Sequence, residues 1–336
     1  MESNDAFPGT IAVMGGGSWA TALASILLRN CDRIVWYMRR DDRIADFRRL
    51  RHNPVYLSDV TFDVDRITFT SDINEACRMA DTLLMVMPSP YFKSHAEKIT
   101  VSLEGKAVVS AVKGIVPEDN VTVTEYMTAR FGIPQEMTLA VSGPCHAEEI
   151  ALGRRSYLTV GCPDAARAEA FARVLTGKNV SAVASTDIRG IEYASVLKNV
   201  YAIAAGMIHG LKMGDNFLAV LVSNAIREME SFLAARCPGK TRDICNSVYL
   251  GDLLVTCYSR FSRNHNFGAI IGRGYSVKAA RMEMEQTAEG YYGTKCIHEI
   301  NAALGVSMPL AEGVYSILYE GAKPCAAMQS IASGFN

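Results

Sequence analysis

Long apolar segments are missing from this sequence. The longest apolar stretch, residues 200–211, is interrupted and shorter than the about 20 apolar residues that span a bilayer. The first nine residues are polar and acidic, so they lack the basic and apolar pattern of a signal peptide. We therefore expect a cytoplasmic protein with no membrane insertion.

Metal-ligand spacing and a charge surplus are missing as well. The nine cysteines include no Cys-x-x-Cys pair, and the six histidines show no ligand spacing, which argues against a metal site. An odd number of cysteines without a secretion signal indicates free thiols in a reducing compartment. The formal net charge of −1 gives no reason to expect nucleic acid as a partner, so any anion site has to be local.

The order of apolar segments divides the 336 residues into two parts of different class. The first part alternates short apolar runs with helical patterns, which predicts a parallel sheet covered on both faces. Segments rich in Ala, Leu, Met and Glu dominate from residue 193 and predict helices. We therefore predict domains at 8–190 and 191–330, with a hinge at 186–190. The predicted strands are 11–14, 34–38, 67–70, 83–87, 107–111 and 139–142, which closes the series; the predicted later helices are 193–211, 216–235 and 276–285.

A glycine cluster follows the first predicted strand. Gly15 permits a tight turn, Gly17 lets the backbone approach a pyrophosphate, and Ala20 is small enough for close packing of helix on strand. The start of the next helix adds free N–H groups and a positive dipole end. This pattern is typical of a Rossmann-type dinucleotide-binding domain, although a plain tight turn remains the alternative. The predicted fold is thus α/β, a Rossmann-type N-terminal domain followed by an all-α substrate domain.

The end of the second predicted strand bears on the choice of cofactor. An NAD-binding unit usually places a carboxylate there for the ribose 2′-hydroxyl, whereas this chain has Arg39 and Arg40, with Asp41 and Asp42 only afterwards. Guanidinium groups favour a 2′-phosphate. NADPH/NADP is therefore the favoured cofactor and NADH/NAD the second choice, while a solvated basic turn is the alternative without function.

Two lysines occupy positions where a ligand could lie. Lys113 follows a predicted strand at the edge where ligands of such sheets bind, although a surface lysine is equally compatible with the spacing. Lys198 interrupts an apolar helix and has small neighbours one turn away, which leaves room for a ligand. The alternative is that Lys198 extends to the surface. Asp252 could hold Lys198 in its protonated form, or could cap a helix.

Three further segments could bind an anion or a cofactor. Ser262, Arg263 and Asn264 offer a hydroxyl, a guanidinium and an amide at a predicted helix start, a suitable phosphate clamp unless they form an exposed loop. Residues 142–149 begin as a turn and continue as a helix whose amides could hold an anion, or are simply capped. The loop at 287–295 carries one acid, Glu289, that could bind ribose or an amide.

Taken together, these motifs resemble the bacterial, cytoplasmic type of NAD(P)-dependent glycerol-3-phosphate dehydrogenase, in the order of that family and over residues 10–321. The resemblance implies reduction of dihydroxyacetone phosphate to sn-glycerol 3-phosphate for phospholipid synthesis, with Lys198 as proton donor. It implies Lys198, Lys113 and Asp252 as catalytic residues. It implies substrate contacts from Lys113, Gly143, Cys145, Lys198, Asp252, Ser262, Arg263 and Asn264. It also implies cofactor contacts from Ser18, Trp19, Arg39, Lys113, Ala147, Arg263 and Glu289, and the glycine cluster and the basic pair add Gly15, Gly17 and Arg40 as expected cofactor residues.

The chain departs from the family pattern at three places. Ala20 stands where glycine is usual, Cys145 and His146 replace a hydroxyl residue and an aromatic residue, and an arginine is missing near Ser223. The departure at Cys145 puts a hydroxyl contact there in doubt. The expected partner is a small phosphorylated substrate, and the sequence leaves a homodimer open.

Two other functions compete with this interpretation. A related dehydrogenase acting on a 3-hydroxy acid would need a carboxylate clamp instead of a phosphate clamp. A non-catalytic nucleotide sensor would bind NADPH without oxidising it, but it would not need a proton donor such as Lys198.

Overall fold

The computed structural model describes Phe7, residues 9–284 and residues 288–335. Contacts divide the chain into two compact units. The first unit contains the residues up to Val112 together with Val123–Ile188, and the second contains Lys113–Thr122 and all residues from Arg189 onward. The segment Lys113–Thr122 therefore belongs to the second unit, although the sequence places it between two strands of the first.

The first unit is built on one sheet whose strand order is β3-β2-β1-β4-β5-β6-β7-β8. Neighbouring strands are parallel except β6 and β7, which are antiparallel. Every residue of β1, β2, β4, β5 and β6 is buried, as expected for a sheet covered on both faces. The strands are β1 Ile11–Met14, β2 Ile34–Tyr37, β3 Ile67–Thr70, β4 Thr82–Met85, β5 Ala107–Ser110, β6 Thr138–Ser142, β7 Ser156–Gly161 and β8 Val180–Ser185.

The sequence predicted that the strand series ends at residue 142 and that neighbouring strands are parallel. The last two strands, β7 and β8, and the antiparallel pairing of β6 with β7 show that both predictions are wrong. β7 carries the residues Ser-Tyr-Leu-Thr-Val-Gly, a β-branched and aromatic run that indicated a strand. β8 is rich in small residues and partly exposed, so its local signal is weak, and pairing with β7 decides its structure.

Among the described residues of the first unit, seven helices connect these strands. They are α1 Ser18–Asn30, α2 Asp41–Leu50, α3 Ile73–Met79, α4 Ser89–Ala96, α5 Val123–Phe131, α6 Ala147–Ala151 and α7 Ala165–Leu175. Beneath α2, the Trp36 ring lies 5.1 Å from Phe47 and 5.6 Å from Phe62, measured between ring centroids. Burial of each such ring contributes about 1.5–3 kcal/mol, so this cluster fixes the end of β2.

The described residues of the second unit form helices joined by loops, together with the non-helical segment Lys113–Thr122. The helices are α8 Ile188–Gly210, α9 Asp215–Arg236, α10 Asp252–Tyr258, α11 Arg263–Gly272, α12 Val277–Glu283, α13 Glu289–Leu304, α14 Pro309–Tyr319 and α15 Pro324–Ala332. The predicted helix 276–285 ends earlier, and its residue Glu285 lies outside the described part, as does Thr287 of the predicted cofactor loop.

The boundary between the two units follows Ile188, inside the predicted hinge segment 186–190, and the last three residues of that segment form the first turn of α8. A glycine such as Gly190 costs a helix only about 1 kcal/mol, and the apolar helix that follows it outweighs this cost.

Helices α8 and α11 cross in direct backbone contact. A Cβ atom on Gly206 would lie 1.9 Å from the carbonyl oxygen of His265, and one on Gly268 would lie 2.0 Å from that of Ile203. Gly210 and Gly272, one turn further along each helix, approach the opposite backbone in the same way. Only glycine permits this approach, and it fixes the start of α11 relative to α8.

Candidate functional site

The glycine turn of the first unit leaves its helix start open. Gly15 has a φ of +143°, which disfavours other residues, and a Cβ atom there would lie 3.0 Å from the carbonyl oxygen of Val86. A Cβ atom on Gly17 would meet nothing within 4 Å. Gly17 precedes the first residue of α1, Ser18, so open space lies beside the start of this helix. The turn therefore suits a pyrophosphate, as its sequence predicts.

A buried asparagine that the sequence analysis missed holds this turn. Asn53 is fully buried; its amide nitrogen donates to the Gly16 carbonyl oxygen at 3.2 Å and to the Thr21 hydroxyl at 2.8 Å. Its amide oxygen accepts from the backbone nitrogen atoms of Val55 and Tyr56. An asparagine before a proline usually indicates only a turn, so the sequence offers no signal for this long-range role.

The turn borders a cleft of about 460 Å³. Arg39 lines this cleft, whereas the Arg40 guanidinium forms a bidentate ion pair with Asp42, with one Nε–Oδ1 distance of 2.9 Å. The predicted pair of cationic residues is thus divided, and only Arg39 presents its charge to the cleft. The full set of lining residues is Gly15, Gly16, Gly17, Tyr37, Arg39, Val86, Met87, Pro88, Tyr91 and His95.

The remaining predicted residues of the first unit either contact the end of β5 or follow the end of β6. The Trp19 indole, on α1, donates to the Ala111 carbonyl oxygen at 3.1 Å. The Cys145 thiol is buried and donates to the Gly143 carbonyl oxygen at 2.9 Å. Gly143 has a φ of +126°, and a Cβ atom there would lie 2.5 Å from the Tyr157 carbonyl oxygen. Ala147 is the first residue of α6, so the turn that begins at Gly143 leads directly into the start of this helix.

The helical unit brings Lys198 and Asp252 together. Lys198 on α8 and Asp252, the first residue of α10, form an ion pair, and their side chains are 3% and 2% exposed. The predicted pairing is confirmed, and extension of Lys198 to the surface is wrong. A charge pair with so little water around it is costly to bury, which makes it a candidate for function.

The thiol next to this pair is not a competing nucleophile. Cys257 is fully buried, and burial raises its pKa to about 12, although the positive charge of Lys198 partly opposes that rise. Cys257 therefore stays protonated near neutral pH.

Lys113 belongs to the same unit as Lys198. The Asn199 amide, adjacent to Lys198 on α8, donates to the Lys113 carbonyl oxygen at 2.7 Å. This bond is one of the contacts that attach the segment Lys113–Thr122 to the helical unit. Lys113 itself is partly buried. No local pattern identified Asn199 as its anchor.

The predicted phosphate clamp lies at a helix start, as expected. Ser262 is buried and caps α11 by accepting from the His265 backbone nitrogen at 3.2 Å. The Asn264 amide oxygen accepts from the Gly290 backbone nitrogen at 2.9 Å, which leaves its NH₂ group to donate elsewhere. Arg263 is partly buried at the first position of α11. The alternative of an exposed loop is therefore wrong.

Glu289 offers an unused acceptor at the start of α13. Its Oε2 atom is buried and has no hydrogen-bond partner among the residues that the structure describes. A buried acceptor of this kind is unfavourable unless a donor reaches it, and ribose hydroxyls or an amide are suitable donors.

No group of three or more His, Cys, Asp or Glu side chains in residues 9–284 and 288–335 could hold a metal ion. No helix described there is both long and apolar enough to cross a membrane.

Comparisons with known proteins place this arrangement in a family. Residues 10–168 match the family described as NAD-dependent glycerol-3-phosphate dehydrogenase N-terminus, and residues 187–329 match its C-terminus. The glycerol-3-phosphate dehydrogenase (NAD(P)+) of Chlorobium luteolum is 33% identical over 94% of both chains. That of Azotobacter vinelandii is 32% identical over 96% of this chain and 94% of its own.

A solved structure agrees with these sequence matches. The crystal structure of glycerol-3-phosphate dehydrogenase from Coxiella burnetii superimposes with a TM-score of 0.87 at 27% identity, covering 96% of this chain and 98% of that chain. Sequence, fold and the order of the motifs therefore agree over nearly the whole length. This chain belongs to the NAD-dependent glycerol-3-phosphate dehydrogenase family.

Proposed function

We propose that the protein catalyses the reversible, NAD(P)H-dependent reduction of dihydroxyacetone phosphate to sn-glycerol 3-phosphate. The observation that carries this proposal is the buried ion pair of Lys198 and Asp252. A ketone reduction needs a proton donor for the forming alkoxide, and a buried ammonium held by a carboxylate can serve as one. The relatives are named for this activity.

The cleft of the first unit fits a dinucleotide. The open space above Gly17 accommodates a pyrophosphate, which would accept from the N–H groups at the start of α1. Arg39 would approach the adenosine ribose. When bound, the nicotinamide ring supplies the hydride that reduces the ketone. The roles of Ser18, Trp19, Ala147, Arg263 and Glu289 as further cofactor contacts rest on the family resemblance.

The charged residues of the helical unit would divide the chemistry between them. Lys198 gives its proton to the substrate oxygen, and Asp252 keeps the ammonium protonated and correctly placed beforehand. Lys113 supplies a second positive charge for the developing oxyanion. Such charges act strongly here because the surroundings of Lys198 exclude water.

The start of α11 would hold the phosphate group. Arg263 provides a guanidinium, and the free NH₂ group of Asn264 adds a second donor. Ser262 can donate its hydroxyl proton while it accepts as the helix cap. Binding energy from the phosphate would orient the carbonyl toward the proton donor. The contacts assigned to Gly143 and Cys145 rest on the family resemblance.

The test compares Lys198→Met with Lys295→Met, a control at a lysine whose side chain is 57% exposed. Absorbance decay of NADPH with dihydroxyacetone phosphate measures turnover, and cofactor fluorescence measures binding. Loss of the general acid should lower kcat by about 10²–10⁴-fold with cofactor binding retained, while the control stays unchanged.

The charge left unpaired in Lys198→Met could unfold the protein. The double variant Lys198→Met/Asp252→Leu removes both charges and covers this case, because apolar replacement of a buried ion pair is often neutral for stability. Near-normal turnover in either folded variant would contradict the proposal.

A substrate panel separates the competing functions. Activity on 3-hydroxy acids with none on dihydroxyacetone phosphate would favour the carboxylate-binding dehydrogenase. Binding of NADPH without oxidation by any phosphorylated ketone would favour a nucleotide sensor.

Finer assignments belong to the same proposal. We infer a preference for NADPH over NADH from Arg39 in the cleft, and parallel assays with each cofactor measure it. All nine cysteines are free thiols, which suits the reducing cytoplasm where phospholipid precursors are made. A homodimer stays a prediction, and light scattering of the purified chain tests it.

A further inference from the structure

The cofactor cleft has a second wall whose chemistry the family motifs do not include. Helix α4 contributes Tyr91 and His95 to the lining of the cleft that the glycine turn also borders. His95 is partly buried. A titratable ring in the same cleft as Arg39 lies close enough to the arginine for their charges to interact. The inference below rests on the proposed binding of NAD(P)(H) in this cleft.

The hydrogen bond inside α4 determines which nitrogen of His95 can face a ligand. Its Nδ1 atom lies 2.8 Å from the Tyr91 carbonyl oxygen, and since a carbonyl oxygen only accepts, Nδ1 carries the proton. The neutral ring therefore has a lone pair on Nε2, and the protonated ring has an N–H donor there. Protonation thus converts the free edge of His95 from acceptor to donor.

The two cofactors differ in whether the group at the ribose 2′ position donates or accepts a hydrogen bond. NAD(H) has a ribose 2′-hydroxyl, which can donate a hydrogen bond, whereas NADP(H) has a 2′-phosphate, which at neutral pH mainly accepts. We propose that His95 distinguishes the two cofactors at this position. Its neutral ring accepts from the ribose 2′-hydroxyl of NAD(H), and its protonated ring donates to the 2′-phosphate of NADP(H).

The groups that face His95 decide when the ring carries a charge. Burial is the largest effect and lowers its pKa below the usual value, and the positive charges of Lys98 and Arg39 lower it further, against the hydrogen bond to Tyr91. Tyr37 and Tyr91 line the same cleft, and burial raises the pKa of the Tyr37 phenol. The free protein therefore holds a neutral ring at neutral pH, and a dianionic ligand draws a proton onto it.

The coupling between cofactor binding and protonation of His95 determines the direction of the pH dependence. Since a 2′-phosphate favours the protonated ring, its binding takes up a proton, and the preference for NADPH over NADH falls as the pH rises. Arg39 adds a preference for the phosphate whose pH dependence comes only from the 2′-phosphate itself, because a guanidinium stays charged. His95 is a specificity-determining residue that adds a pH-dependent part to that preference.

The test measures binding to the full chain without turnover. Dissociation constants of NADPH and NADH are determined by fluorescence between about pH 5.5 and 8.5, on either side of an ordinary histidine pKa. In the wild type the selectivity for NADPH should fall about tenfold over this range, the size of one charge-assisted hydrogen bond. In His95→Gln the selectivity should change only by the titration of the 2′-phosphate itself. His209→Gln, at an exposed histidine of the other unit, is the matched control and should behave as the wild type.

A second measurement follows the ring directly. NMR titration of His95 with adenosine 2′,5′-bisphosphate should raise its pKa by about one unit, as a tenfold linkage requires, and AMP should not. Equal pH slopes in the wild type and His95→Gln, or no upward shift with the bisphosphate, would overturn the role of His95.

Failure of the proposed function has a different signature. If neither cofactor binds at any pH, both proposals fall. If both bind and Arg39→Gln lowers selectivity for NADPH while the pH slope of His95→Gln equals that of the wild type, only the His95 inference is wrong.

Discussion

The glycine crossing of α8 and α11 predicts a large effect from one added methyl group. In Gly268→Ala the new Cβ would lie 2.0 Å from the Ile203 carbonyl oxygen and 3.0 Å from the Met207 nitrogen. Ordinary contacts of this kind are longer than about 3.3 Å, so the two helices would have to separate by more than about 1 Å. The obstacle is helix backbone, which cannot rotate aside as a side chain can.

Two opposing energies decide the sign of this change. Alanine in a helix interior is favoured over glycine by about 1 kcal/mol. Overpacking of a tight contact costs about 1–3 kcal/mol and sometimes more. Because Gly206 of α8 approaches α11 as closely as Gly268 approaches α8, separating the helices at one glycine also loosens the contact at the other. We expect a net loss of about 2 kcal/mol in the free energy of unfolding, or about 4–8 °C in Tm for a domain of this size.

The assay is thermal unfolding followed by far-UV circular dichroism. Gly177→Ala is the control, because a Cβ atom there would meet nothing within 4 Å, and its Tm should change little. Activity gives a second measure: α8 carries Lys198 and α11 carries Asn264, so a shift of about 1 Å should lower kcat/KM up to about 100-fold. A Gly268→Ala protein that melts at or above the wild-type temperature would refute this reasoning.

Two other buried groups give further predictions. Glu228 accepts from Tyr201 and from the first N–H groups of α14, and burial raises its pKa from 4.5 to about 7. Because the folded-state pKa is raised, the protonated Glu228 contributes about 3 kcal/mol to the free energy of unfolding; this contribution is complete below pH 4.5 and is lost as the pH rises through about 7. Urea unfolding at several pH values measures this loss in the wild type, and Glu228→Gln should not show it. Asn53→Leu should destabilise the first unit by about 3 kcal/mol and weaken NADPH binding about tenfold by freeing the glycine turn, whereas equal dissociation constants in variant and wild type would show that Asn53 does not support that turn.

Local patterns in the sequence were enough for the first six strands and for the glycine turn, but not for β7 and β8. The strand at Ile11–Met14 and the helix Ser18–Asn30 follow from a short apolar run, Gly15–Gly17 and an amphipathic stretch. These are interactions between residues near one another in the chain, so the sequence displays them directly. The order of the motifs was also enough to identify the family.

Only the tertiary structure decided which side chains meet. The sequence left Lys198 either paired or at the surface, and left Arg40 and Arg39 equivalent. Helix packing buries Lys198 against Asp252, while a neighbouring carboxylate occupies Arg40. Asn53 and His95 carried no local signal, because their partners or neighbours in the cleft lie on separate elements. The sequence by itself determined the fold class and the chemistry available to this protein, since short-range patterns encode both. Which groups are charged, buried and accessible depends on distant segments packing together, and that was decided by the tertiary structure.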